Sequence, residues 1–169
     1  MIQIGAPSPT IDPPIEHLMA CHRRIEQRLD TLVKAADYVD QDRSAAVAAI
    51  EKSLQFLDTS GVLHTEDEES SLFPRLRQRL SPAEIEFVDS LERQHDEADS
   101  IYRELKELAA GLCSDSAPRY RACAERLRAL YQAHIRSEDE ILTELARRSL
   151  DAGEIEEIAA EMRMRRKKA

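Results

Sequence analysis

Residues 120–145 read YRACAERLRALYQAHIRSEDEILTEL. Apolar side chains recur there at steps of three and four: Tyr120, Cys123, Leu127, Leu130, Ile141 and Leu145. That period belongs to an α-helix with one face turned to a core. Two members of the same stripe are polar, His134 and Glu138, and at a spacing of four they stack one above the other. Buried imidazoles and carboxylates need partners, so the stripe predicts both a helix and something for its polar pair to hold.

The motif has an echo upstream. A helix starting near Ser44 carries the stripe Val47, Ile50, Leu54, Leu57, Gly61, His64 and Glu68, with a bend or end expected around Pro74. Two further helices place one histidine each on their seams. The first, from about Pro13 to Tyr38 with Asp12 as N-cap, reads Ile15, Leu18, His22, Ile25, Leu29, Leu32. The other opens on Ser81-Pro82-Ala83-Glu84, a capping box with proline in the first turn. It reads Val88, Leu91, His95, Ala98, Tyr102, Leu105 and stops at Gly111. The helix holding His134 begins after Ser116 and Pro118, and a short fifth helix from about Ala152 to Arg165 ends in a basic tail. Short connections make successive helices antiparallel, so the fold class is all-α: an up-down-up-down four-helix bundle with a short fifth C-terminal helix.

Composition agrees with that class and narrows the partners. Of 169 residues, 34% are charged and 42% apolar, with four Gly and no Trp, a mix that favours one helical domain. The net charge of −9 and the 4% aromatic content argue against nucleic acid. No apolar run reaches the roughly 20 residues that span a bilayer, and the Pro-rich start lacks a signal-peptide core. Three cysteines, Cys21, Cys113 and Cys123, form no CxxC pair and read as thiols of a cytoplasmic protein. Residues 1–12 are expected to be a flexible tail and 13–169 the domain.

The four seam histidines fall at similar heights. From His95 to Gly111 is 16 residues and from Ala117 to His134 is 17, so at about 1.5 Å per residue the two legs nearly cancel. The first two helices cancel less well, at about 16 against 21 residues. Four imidazole nitrogens and the carboxylates of Glu68 and Glu138, meeting in a bundle core, suit a pair of first-row transition ions. Both carboxylates can bridge, leaving two histidines to each ion. Affinity order alone leaves manganese or a mixed pair open beside iron.

This ordered set resembles the hemerythrin-like family, the HHE cation-binding domains, over about Pro14 to Arg166. The resemblance rests on His-Arg-Arg-Ile-Glu at His22, the His64…Glu68 pair running into Leu72-Phe73-Pro74, the lone His95, and the His134…Glu138 pair. It implies a di-iron cofactor with His22, His64, His95 and His134 as terminal ligands and Glu68 and Glu138 as bridges beside an oxo or hydroxo group. It also implies redox chemistry with a small diatomic or peroxide ligand, in oxidative-stress defence or iron-centre maintenance. An enzyme of this kind would be a peroxidase- or catalase-like oxidoreductase served by an electron donor from outside the chain. The alternative is an oxygen, nitric oxide, redox or iron sensor acting through a protein partner. Oxygen carriers of the family have a second histidine where this chain has Asp99, which ranks a carrier or iron store lower.

Asp99 and Glu26 each follow a seam histidine by four residues and are further candidates, as ligands or as acceptors that orient an imidazole; a solvated charge is the plainer reading. His17 lies off the seam. Glu66, Asp67 and Glu69 read as a solvated acidic face. Tyr102 and Tyr131 read as core fillers with a hydroxyl at the rim, and Cys123 as a small core residue. Residues 163–168 read as cations complementing a helix C-terminus.

Overall fold

The protein is described by a computed structural model covering residues 13–168. Asp12 and the expected flexible tail, residues 1–12, lie outside the described residues. α1 spans Pro14–Ala35 and tightens into a 3₁₀ turn, Ala36–Tyr38. Pro13 stands at the N-cap and Pro14 takes the first helical position, one residue later than expected, where a missing N–H costs nothing. The Asp42 carboxylate accepts from the Ala45 N–H at 2.9 Å and starts α2, residues 43–77.

α2 is continuous but not uniform. Its α-helical parts, Arg43–Phe56, Val62–Asp67 and Phe73–Arg77, are joined by two π turns, Leu57–Gly61 and Glu68–Leu72. The helix therefore runs through Pro74 instead of ending there. Its second π turn sends the Phe73 N–H to the Glu68 carbonyl and so relieves the turn that the proline ring would strain. The first π turn and the 3₁₀ turn of α1 also work to close the imbalance of leg lengths, since they change the rise per residue in opposite senses.

α3, Pro82–Ala110, starts at the expected capping box, with the Ser81 N–H donating to Glu84 Oε2 at 2.9 Å. α4, residues 117–149, consists of Ala117–Ser137, a π turn at Glu138–Leu142, and Thr143–Ser149. The inserted residue turns the stripe: Ile141, expected inside, is 46% exposed, and Leu142 is buried in its stead. α5 spans Ala152–Lys168, with Asp151 accepting from the Gly153 and Glu154 N–H groups.

The helices pack as an all-α bundle in which α1 lies against α2 and α4, and α3 against α4. α5 lies across α1 and the stretch of α2 around Val62–Asp67 and Glu68–Leu72. Among the described residues there is no strand, and no helix is long and apolar enough to cross a membrane. Two apolar layers fill the core. One contains Ile25, Leu29, Leu32, Leu105, Tyr120 and Leu127; the other contains Leu18, Leu72, Phe73, Leu91, Leu142 and, from α5, Ile158. The polar seam residues lie between these layers, each flanked along its helix by members of both.

Candidate metal centre

α1 to α4 each bring one histidine to this polar layer, and α2 and α4 each add a glutamate. All six, His22, His64, Glu68, His95, His134 and Glu138, are buried, none more than 8% exposed. Glu138 spans two histidines, with Oε2 3.1 Å from His22 Nε2 and Oε1 3.1 Å from His134 Nε2. Glu68 spans the pocket the same way: Oε1 is 3.4 Å from His64 Nε2 and 3.9 Å from His22 Nε2, and Oε2 is 3.5 Å from His95 Nε2. Two groups of four donors result, His22–His64–Glu68–Glu138 and Glu68–His95–His134–Glu138, each with its ligand atoms within 4.8 Å of one another. Both carboxylates are common to the two groups.

The outer ring nitrogens fix the direction of the inner ones. His22 Nδ1 lies 2.8 Å from Asp139 Oδ1, His95 Nδ1 2.8 Å from Glu69 Oε1, and His134 Nδ1 2.9 Å from Gln94 Oε1. With these oxygens as acceptors, each Nδ1 carries a hydrogen and each Nε2 is the nitrogen turned inward. His95 Nε2 and His134 Nε2 face each other at 3.0 Å, where two lone pairs repel unless positive charge stands between them. The four carboxylate oxygens and His22 Nε2 are buried without a hydrogen bond. Such groups are costly to bury unless something satisfies them, and a donor set of this kind fits metal cations.

The electrostatics point the same way. Burial works against a charged His22, yet the Glu138 and Glu68 carboxylates lift its pKa to about 11. Burial and the Glu138 charge push the Glu68 carboxyl well above its usual range. Glu138 resists burial because His134 and His22 hold its carboxyl well below that range. Burial lowers the pKa of His64 and His95, helped by their imidazole neighbours. The pocket thus draws positive charge to the carboxylates while keeping two rings neutral.

Several residues fall elsewhere than expected. Asp99 is exposed and pairs with Arg103 at 3.1 Å, so it stands outside both donor groups. Glu26 is half-buried on α1 beside Asp139, and it is Asp139 that meets His22. Glu69 orients His95 from the wall of an open groove that Glu66 also lines, whereas Asp67 is fully buried against Arg165 and Arg166 and so does not belong to a solvated acidic face. Tyr102 has its hydroxyl at the rim, donating to Leu54 O or Asp58 at 3.1 Å. His17 lies outside both donor groups. The roles of Glu69 and Asp139 had a signal in the sequence: an acidic residue directly follows each glutamate of the two HxxxE repeats.

Two spaces adjoin the layer. An open groove of about 520 Å³ between α2 and α3 reaches His95 past Glu66, Glu69, Asp99 and Tyr131. A cavity of about 10 Å³ on the other side touches His22, Glu68 and Glu138 and is walled by Ile15, Leu18, Met19 and Leu142.

The hemerythrin HHE cation binding domain matches this chain over residues 13–146. An uncharacterized protein of Haemophilus influenzae is 29% identical over 160 residues, covering 93% of this chain and 92% of that protein. The family match ends before α5 begins.

Proposed function

This chain belongs to the hemerythrin HHE cation-binding family, and from that premise we propose that it is a non-haem di-iron protein reacting with a small oxidant: dioxygen, peroxide or nitric oxide. The observation that carries the reading is the set of four inward Nε2 atoms facing four carboxylate oxygens that have no hydrogen bond. His22 and His64 would hold one ion, His95 and His134 the other, and Glu68 and Glu138 would bridge both. When bound, an iron pair supplies electron transfer and open positions for a small ligand.

The chain's own residues select the reactant by size. The cavity of about 10 Å³ beside His22 has room for no more than about one water-sized molecule, so an organic substrate is excluded from that side. Polar solutes and protons have a separate route along the groove to His95. Tyr131 lines that groove with its ring edge-on to His134, 6.2 Å between centroids. Burial pushes its pKa up to about 12, so its hydroxyl keeps its proton there. Reducing equivalents would come from an external donor. A cytoplasmic setting fits the three free thiols, and a role in oxidative-stress defence or iron-centre maintenance fits the reactants.

A second reading, a sensor, is favoured by the position of α5 against the Glu68 turn, where a change at the centre would be felt outside the bundle. One experiment separates the two. Protein loaded with ferrous iron under nitrogen is given limited oxygen while its visible and near-ultraviolet spectrum is followed. An oxidised spectrum that persists until reductant is added, with peroxide consumed on further addition, is the outcome expected of the redox protein. A band that vanishes when oxygen is removed would transfer support to a sensor or carrier.

A further inference from the structure

The basic end of α5 does more than complement a helix terminus. Arg165 Nη1 donates to Asp67 Oδ1 at 2.8 Å and Arg166 Nη2 to Asp67 Oδ2 at 2.7 Å. Arg165 Nη2 also donates to Ser71 Oγ at 2.5 Å, and the Ser71 hydroxyl donates to Glu161 on the same face of α5. Arg75 closes the network, reaching Glu161 at 2.8 Å and the Ser71 carbonyl at 2.9 Å. Asp67 and Ser71 are both 0% exposed, and they bracket Glu68: one precedes it, the other lies within its π turn.

The corresponding turn of α4 is fastened from within, because Thr143 Oγ1 donates to the Glu138 carbonyl at 3.0 Å. The equivalent position in α2 is Phe73, which has no hydroxyl. What α4 achieves with one side chain, α2 receives from another helix, and that helix lies beyond the region matched by the family. A buried carboxylate that loses its guanidinium partners is strongly destabilised, so Asp67 can stay where it is only while α5 is docked.

We propose that Asp67, Arg165 and Arg166 are positioning residues of the metal centre: α5, docked on α2, holds the Glu68 turn so that both Glu68 oxygens face the four histidines. The proposal rests on the di-metal reading of the site. It makes metal affinity depend on a contact on the outside of the bundle.

Cobalt(II) is a suitable probe. Calorimetric titration of the full chain, with the visible spectrum of the cobalt-loaded protein, is carried out on wild type and on the Arg165→Met/Arg166→Met variant. Arg163→Gln serves as the control, since Arg163 pairs at 2.7 Å with Glu156 on its own helix and makes no hydrogen bond or ion pair with residues 64–73. Outer groups that orient ligands typically change metal affinity 10- to 100-fold, and the double variant is expected to bind cobalt about tenfold more weakly with an altered spectrum. Arg163→Gln is expected to match wild type in both readouts. Should the double variant fail to fold, Arg165→Lys/Arg166→Lys keeps the charge but loses the forked geometry, and it is expected to show a smaller loss and the same kind of spectral change. Wild-type affinity and spectrum in a folded variant, whatever its melting temperature, would reduce α5 to a tether and overturn the proposal alone. A wild-type chain that takes up no cobalt would overturn the metal-centre reading itself.

Discussion

The two candidate ligand-bearing turns, residues 64–73 of α2 and 134–143 of α4, are built on one plan and fastened in different ways. Each offers a histidine, a glutamate four residues on, an acidic residue next, and a π turn that starts at the glutamate. Each lends its second acidic residue to a histidine on a neighbouring helix: Glu69 to His95, Asp139 to His22. The halves part at the remaining pair. His134 Nδ1 has Gln94, whereas His64 Nδ1 is buried with no hydrogen-bond partner among the described residues. They part again in what secures the turn, an internal hydroxyl in α4 and the arginines of α5 in α2. The difference teaches that the inward geometry is held to one pattern while the outward means of enforcing it are free to vary.

The comparison is most exposed at the shared carboxylates. Glu68→Ala and Glu138→Ala are each expected to lose at least one metal from anaerobically loaded protein, as measured by elemental analysis. Full occupancy in either would break the two-fold plan. One step outward, Glu69→Gln and Asp139→Asn are expected to weaken ferrous binding by similar factors, roughly 10- to 100-fold. Asp99→Asn should leave it unchanged, and an equal loss there would return Asp99 to the site. A smaller effect belongs to the fastening of the second turn. Thr143→Val removes a buried hydrogen bond to the Glu138 carbonyl and should cost about 1 kcal/mol in urea unfolding.

The smallest effect lies away from both turns, at the start of α3. The Ser81 hydroxyl and N–H, with Arg148, hold the Glu84 carboxyl at a pKa of about 2, below its ordinary value of 4.5. A depressed folded-state pKa stabilises above the unfolded value and loses that contribution as pH falls towards the folded one. The stability gap between wild type and Glu84→Gln should therefore narrow from pH 5 to pH 2, without any change in metal content at neutral pH. A gap independent of pH would show that the cap carries no titrating stability.

Much of this was legible in the sequence because helix seams repeat. One histidine per stripe, at heights that nearly cancel, sufficed to bring six donors together, and Ser81-Pro82-Ala83-Glu84 marked the start of α3. The π turns were not legible. One inserted residue fits steps of three and four almost as well as none, so Ile141 read as core when Leu142 takes that place. Asp67 hid for a different reason: a buried carboxylate between polar neighbours looks solvated until the helix that covers it is known. Arg165 and Arg166 lie 98 and 99 residues from it, and no local pattern links them.

The central claim is that six side chains hold two metal ions with both carboxylates in common. Its most direct test is a ferrous titration under nitrogen, with bound iron counted per chain and the melting temperature read at each step. The account predicts saturation at two irons per chain and a melting temperature that rises with loading. A chain that retains no iron, and melts at the same temperature with or without it, would contradict the account.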